Sequence, residues 1–172
     1  MEFTVEDYTR HYIVTALFKL MDGHEYEKIS VKDIAEKAGI GRATFYRHFK
    51  SKEEVIAYYF ARNTQKFIKE QRIYPRCKED YVVVAMNVLT EFKANKEPFK
   101  LLKRAHLSDL YLDYLNAKFV KTFEESDSKG CGYLPYLYAG MLYNVSMKWL
   151  EDDCSEDISV LATLIVDAIY TK

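Results

Sequence analysis

The chain has 172 residues, 49% of them apolar and 15% aromatic, with six glycines, three prolines and a formal net charge of −1. That length suits one domain or two small ones sharing a core, and the apolar content with scarce glycine and proline favours a packed, helix-rich globule over disorder or a many-turned β fold. The absence of any credible strand pattern along the chain makes the expected fold all-α. Nothing at the N-terminus resembles a signal peptide and no apolar run approaches the roughly 20 residues that span a bilayer, so the expectation is a soluble, cytoplasmic protein with no membrane partner.

The first element is TVEDYTRHYIVTALFKLMDG. Thr4 suits its N-cap, and Glu6 and Asp7 fall in the first turn, where the helix dipole favours anions. Ile13, Ala16, Leu17 and Leu20 recur at helical spacing, and Gly23 ends the run. A second, very short helix begins at Ser30, an N-cap with Asp33 three residues on and with Ile29 and Ile34 placed as a hydrophobic staple. Gly39 closes it.

A third short helix, about 42–48, follows after only Gly39, Ile40 and Gly41. The fourth opens on Ser51-Lys52-Glu53-Glu54, a capping box, and carries Val55, Ile56, Tyr59 and Phe60 in helical register to about Tyr74. Two short helices joined by a glycine-containing turn, then a long one, is helix-turn-helix organisation. The stretch around Pro75 is the candidate boundary. Beyond it, helical patterns run over about 80–95, 98–106 from Pro98, 108–125, 133–152 and 156–171, the last capped by Ser155; SDSKGCG (126–132) reads as a flexible loop. The organisation expected is a DNA-binding unit over 1–50, a connecting helix over 51–74 and a regulatory and dimerisation domain over 75–172, about nine helices in all.

Charge is uneven along this order. Residues 40–78 carry ten Lys/Arg (42, 47, 50, 52, 62, 66, 69, 72, 76, 78) against three acids (53, 54, 70), whereas 79–172 carry ten against fifteen. A basic segment inside a neutral chain points to a polyanion site on one part only, with a solvated helix face as the plainer alternative.

Within GIGRATFYRHFKSKEE (39–54), helical spacing separates two residue classes. Phe45 and Phe49 lie one turn apart and, with Ile34, Ala38 and Ile40, suit the core of a three-helix unit. Arg42, Ala43, Tyr46 and Arg47 are left on other faces. Arginine offers a donor fork to phosphate oxygens or guanine, Thr44, Tyr46 and His48 supply donors at the groove edge, and Ala43 is small enough for close approach. Lys52 sits in a first turn whose free amides already favour a phosphate.

ISVKDIAEKAGIGRATFYRHFKSKEEVI resembles the DNA-binding region of TetR-family transcriptional regulators, over roughly residues 8–60. The resemblance implies that Arg42, Ala43 and Thr44 open the recognition helix and touch bases and backbone, and that Tyr46, Arg47, His48 and Lys52 hold phosphates. It implies a further backbone contact at Ser30, Val31 and Lys32. Gly41 departs from the serine or threonine common in relatives, so a capping hydroxyl that also reaches phosphate is missing, although glycine remains an acceptable cap.

One short helix in a major groove binds weakly, so such readers work as two-fold dimers on double-stranded, pseudo-palindromic DNA. In the last two helices, YLYAGMLYNVSMKWL and ISVLATLIVDAIY, apolar residues cover more than one face: Ile158, Val160, Leu161, Leu164, Ile165, Ala168 and Ile169 circle much of the final one. Such a helix needs burial on both sides. The resemblance implies homodimerisation there; an intrachain core is the alternative. Phe92, Phe99, Tyr111, Tyr114, Tyr138, Met141 and Trp149 form either plain core or, as the resemblance implies, a chamber for a small-molecule effector that re-angles the DNA-binding part. The overall expectation is a homodimeric repressor; a coactivator joining another regulator through its C-terminal half is the alternative.

The three cysteines (Cys77, Cys131, Cys154) are odd in number and lack ligand spacing, and no nucleophile elbow, zinc-protease or phosphate-loop motif occurs. No metal, no cofactor and no catalytic residue is expected, and EDDCSED (151–157) reads as an interhelix loop with capping duty.

Overall fold

The computed structural model describes residues 5–70, 77–125 and 132–169. Thr4, the boundary around Pro75, Cys131 and most of SDSKGCG lie outside them. Among the described residues nine α-helices and one 3₁₀ turn account for the regular structure, with no strand. The helices are α1 (Val5–Gly23), α2 (Val31–Lys37), α3 (Arg42–His48), α4 (Lys52–Glu70), α5 (Lys78–Ala94), α6 (Lys96–Arg104), α7 (Asp109–Glu125), α8 (Leu134–Glu151) and α9 (Ile158–Ile169); the 3₁₀ turn is Tyr26–Lys28.

Local chemistry explains most boundaries. At the start of α2 the Ser30 Oγ accepts from the Asp33 amide (3.2 Å) while Asp33 accepts from the Ser30 amide (2.9 Å), a closed capping box. Gly39 ends α2 at φ 71°, with its amide on Glu36 O and the Ile40 amide on Ala35 O, the paired bonds of a left-handed C-terminal cap. α4 differs slightly from expectation: the Glu54 amide donates to Ser51 Oγ (3.3 Å), but the Glu54 carboxylate reaches back to the Lys50 amide. Two expectations need correcting. The fifth and sixth helices start two residues earlier than the apolar pattern alone indicates, placing Pro98 third in α6. The cap of α9 is Asp157, whose Oδ1 accepts from the Ser159 and Val160 amides, not Ser155.

α1 to α3 and the start of α4 form a head closed over Ile13, Leu17, Met21, Ile34, Phe45, Phe49, Val55 and Ile56, all buried. The remaining helices form a body in which α5 packs on α9 and α7 on α8. α4 reaches α7 and α6 touches α1, so the two parts share one continuous apolar core. Phe60 of α4 is the joint: its ring lies 5.3 Å from Tyr111, 5.7 Å from Tyr114 and 5.8 Å from Phe99, centroid to centroid. Offset contacts of this kind add to the burial of each ring.

Candidate nucleic-acid interface

α3 is held by its phenylalanines. Phe45 is 0% exposed and Phe49 is also buried, their rings 6.1 Å apart, and Phe49 meets Tyr58 of α4 edge-on at 5.4 Å. Burying Phe45 from the helix and Phe49 from its extended C-cap sets the roll of α3, because a rotation of a few tens of degrees would bring either ring into water. Arg42, Ala43, Tyr46 and Arg47 are thereby left exposed, Tyr46 at 57%. Thr44 and His48 are half-buried at the edges of that face. Neither arginine forms an ion pair with a described residue. They offer uncommitted donor forks on one rigid surface, the arrangement that phosphate and base-edge contacts require.

Burial and then the cations Arg47 and Arg10 hold the His48 imidazole below its ordinary range, opposed by Glu6. Arg10 is a residue that sequence reasoning missed. It comes from α1, lies 5.5 Å from the centroid of the Tyr58 ring, and has a buried Nε with no hydrogen-bond partner among the described residues. With a separation of 38 positions from His48, no local pattern signals the pairing.

The other expected contacts divide. Lys32 is exposed beside α3, in a loose surface pair with Glu36 (3.7 Å). Val31 is half-buried and packs against the core. The Ser30 hydroxyl is engaged with Asp33, at 2.6 Å, in the capping box. Gly41 has extended φ and ψ of −78° and 153° and caps α3 through its carbonyl, which accepts from the Thr44 and Phe45 amides. Lys52 turns inwards: its Nζ donates to the carbonyl oxygens of Tyr26 and Ile29, each at 2.8 Å.

In the body, the aromatic residues that sequence left open between core and chamber pack on one another. Phe92 and Phe99 are 4.4 Å apart, Phe99 and Tyr111 4.8 Å, and Phe92 and Trp149 stack at 6.3 Å. Burial pushes the Tyr111 phenol well above its usual value, partly offset by its bond to the buried Ser146. An open cleft of about 680 Å³ lies instead at the joint between head and body, between α1, α4 and α6, with Phe18, Tyr59, Asn63, Asn95 and Leu101 in its lining. Among the described residues no group of three or more His, Cys, Asp or Glu is placed to hold a metal, and no helix is long and apolar enough to cross a membrane.

A small helical head presenting the exposed face of a phenylalanine-anchored helix, on a separate helical body, defines a helix-turn-helix protein. The family profile described as bacterial regulatory proteins, tetR family, matches residues 13–59. HTH-type transcriptional regulators SAB2452 and SAUSA300_2515 of Staphylococcus aureus (strains bovine RF122 / ET3-1 and USA300) are each 34% identical over 85 residues, 46% of this chain and 44% of theirs. The match thus spans less than half the length of these curated relatives. Lin0861 from Listeria innocua shares the fold over 98% of this chain and 94% of its own, at 24% identity and a TM-score of 0.77. The FadR regulator of Bacillus subtilis, solved in complex with stearoyl-CoA, does so over 91% and 95% at 18% identity and 0.54. Residues 13–59 thus match the DNA-binding region of the tetR family of bacterial regulatory proteins, and the chain as a whole shares the fold of Lin0861 and FadR.

Proposed function

We propose that this protein is a homodimeric, sequence-specific DNA-binding regulator, a repressor whose grip on a pseudo-palindromic operator is relieved by a small molecule. The observation that carries the reading is the division of α3: Phe45 and Phe49 buried, Arg42, Ala43, Tyr46 and Arg47 exposed. Arg42, Ala43 and Thr44 at the start of the helix read base edges, and Tyr46, Arg47 and His48, with Lys32 on α2, hold phosphates.

The dimer is supported by α8 and α9. Ala162, Ile165 and Val166 bury one face of α9, while Val160 and Leu164 on α9 and Tyr133, Tyr136 and Leu137 at the start of α8 stay exposed. Exposed apolar side chains on the last two helices suit an interaction surface, and a second copy supplies the two-fold symmetry that the DNA site needs. The effector is supported by the acyl-CoA complex of the Bacillus subtilis neighbour and by the cleft at the joint. A molecule lodged there touches both α1 of the head and α6 of the body, so its affinity differs between head orientations.

The test is selection of bound duplexes from a random pool by the purified chain at low salt, followed by mapping of the best site. Enrichment of a two-fold-symmetric sequence, bound with a steep salt dependence, is expected. Failure to enrich any sequence overturns the reading.

A further inference from the structure

Tyr26 is buried in the 3₁₀ turn just before α2, and the first turn of α4 closes on it from two sides. The Tyr26 hydroxyl donates to Glu53 Oε1 at 2.7 Å. The Lys52 ammonium lies 4.1 Å from the centroid of the same ring while donating to the Tyr26 and Ile29 carbonyls. Two of its three protons are spent on the main chain and its remaining side faces an aromatic surface, which attracts a cation in its own right. Burial and the carboxylate push the phenol up, and the same bond holds Glu53 down, so donor and acceptor keep their roles across neutral pH.

The carbonyls chosen matter. Ile29 immediately precedes Ser30, the N-cap of α2, and its side chain is buried in the same core as Ile34. α2 in turn packs on α3. Lys52 and Glu53 therefore fix α4, the helix that joins head to body, to the segment from which the helix-turn-helix starts.

We propose that Tyr26, Lys52 and Glu53 form a brace that sets the angle of α2 and α3 against α4, and that Lys52 governs DNA affinity as a positioning residue through this brace instead of by neutralising a phosphate. The inference rests on the DNA-binding reading above. It separates two roles that a lysine at a helix start can play, because only one of them releases counterions. A phosphate contact contributes about 0.9 to the slope of log affinity against log salt; a positioning residue contributes nothing to it.

The experiment measures binding of the full chain to the duplex selected from the random pool, between about 50 and 200 mM salt, for wild type, Lys52→Met and the charge-neutral Tyr26→Phe. Both variants are expected to bind about tenfold more weakly, as loss of one charge-assisted hydrogen bond implies, with the wild-type salt slope. Amides of residues 28–34 should exchange faster in both. A slope shallower by about 0.9 in Lys52→Met, with Tyr26→Phe at wild-type affinity, shows a phosphate contact and overturns the proposal. So does wild-type affinity in both variants. Should the wild type select no duplex, the functional reading fails separately, and unchanged exchange at 28–34 in Lys52→Met then overturns the brace by itself.

Discussion

The guanidinium of Arg104, the last residue of α6, donates to the carbonyl oxygens of Met21 and Asp22 in the last turn of α1, the latter at 3.1 Å. α1 has no basic residue of its own in that turn. Its terminal carbonyls, left without intrahelical partners and carrying the negative end of the dipole, are thus satisfied by a cation from the body. Arg104→Ala is expected to cost about 0.5–1 kcal/mol, since the arginine is exposed and the interaction is screened. That corresponds to about 1–4 °C in Tm for a chain of this size. Thermal melts at low and high ionic strength check it: the difference should shrink with salt.

The two residue classes of α3 should fail in different ways. Phe45→Ala removes a wholly buried ring and should cost about 3–5 kcal/mol, enough to melt the head and abolish DNA binding together. Arg47→Ala touches no core and should leave Tm unchanged while weakening binding and lowering the salt slope by about 0.9. Melts paired with salt-dependent binding isotherms distinguish them. An Arg47→Ala protein with the wild-type slope would remove Arg47 from the phosphate contacts.

Gly41 offers a gain of function. A β-carbon built there meets no atom within 4 Å, and its backbone conformation suits any residue. Gly41→Ser supplies a hydroxyl to the unpartnered amides at the start of α3, worth a few tenths of a kcal/mol. In the proposed register of the recognition helix the same hydroxyl would also reach a phosphate, so binding should tighten modestly. Weaker binding to the selected duplex would count against this register of the recognition helix.

The exposed apolar face of the body can be tested without disturbing its core. Leu137 and Leu164 are 62% and 59% exposed, on α8 and α9. Leu137→Glu or Leu164→Glu should leave the monomer folded but halve the mass measured by light scattering, with DNA affinity falling because one head binds without its mate. A variant that stays dimeric places the interface elsewhere.

His48 sets a pH dependence with two opposite signs. Its imidazole titrates below the ordinary value in the folded chain, chiefly through burial and then through Arg47 and Arg10. The unfolded state therefore takes up a proton first as pH falls. Stability from this group is complete above about 6.5 and is lost as pH drops through the depressed folded value. In the proposed DNA complex the preference reverses, because a phosphate beside the ring would favour the cation. Wild type should melt earlier but bind DNA more tightly as pH falls from 7.5 to below 6.5, and His48→Gln should flatten both trends.

Much of the site was legible in sequence because it is local. Phe45 and Phe49 share a helix face by spacing alone, Ser30 and Asp33 cap α2 from three residues apart, and α3 spans the residues expected. The Ser155 expectation failed by two positions in a run where several residues have capping chemistry, and only the actual backbone path selects Asp157. The 3₁₀ turn at Tyr26 went unseen for a different reason: the groups that hold it, Lys52 and Glu53, lie 26 and 27 positions away.

Sequence by itself determined most of the helices, the capping box of α2, the basic segment and that Phe45 of α3 faces the core, since each depends on spacing within a turn or two of chain. Tertiary structure decided which cations remain available to a polyanion. Lys52 and Arg47 are indistinguishable as letters in one basic stretch, yet one ammonium is enclosed by two carbonyls and a ring while the other side chain stands in water. Packing likewise decided that Phe92, Phe99 and Tyr111 fill the body and that Leu137 and Leu164 do not. The physical reason is the same throughout: whether a charge or an apolar surface is already satisfied depends on groups brought in from distant positions, and that satisfaction determines what is left to bind.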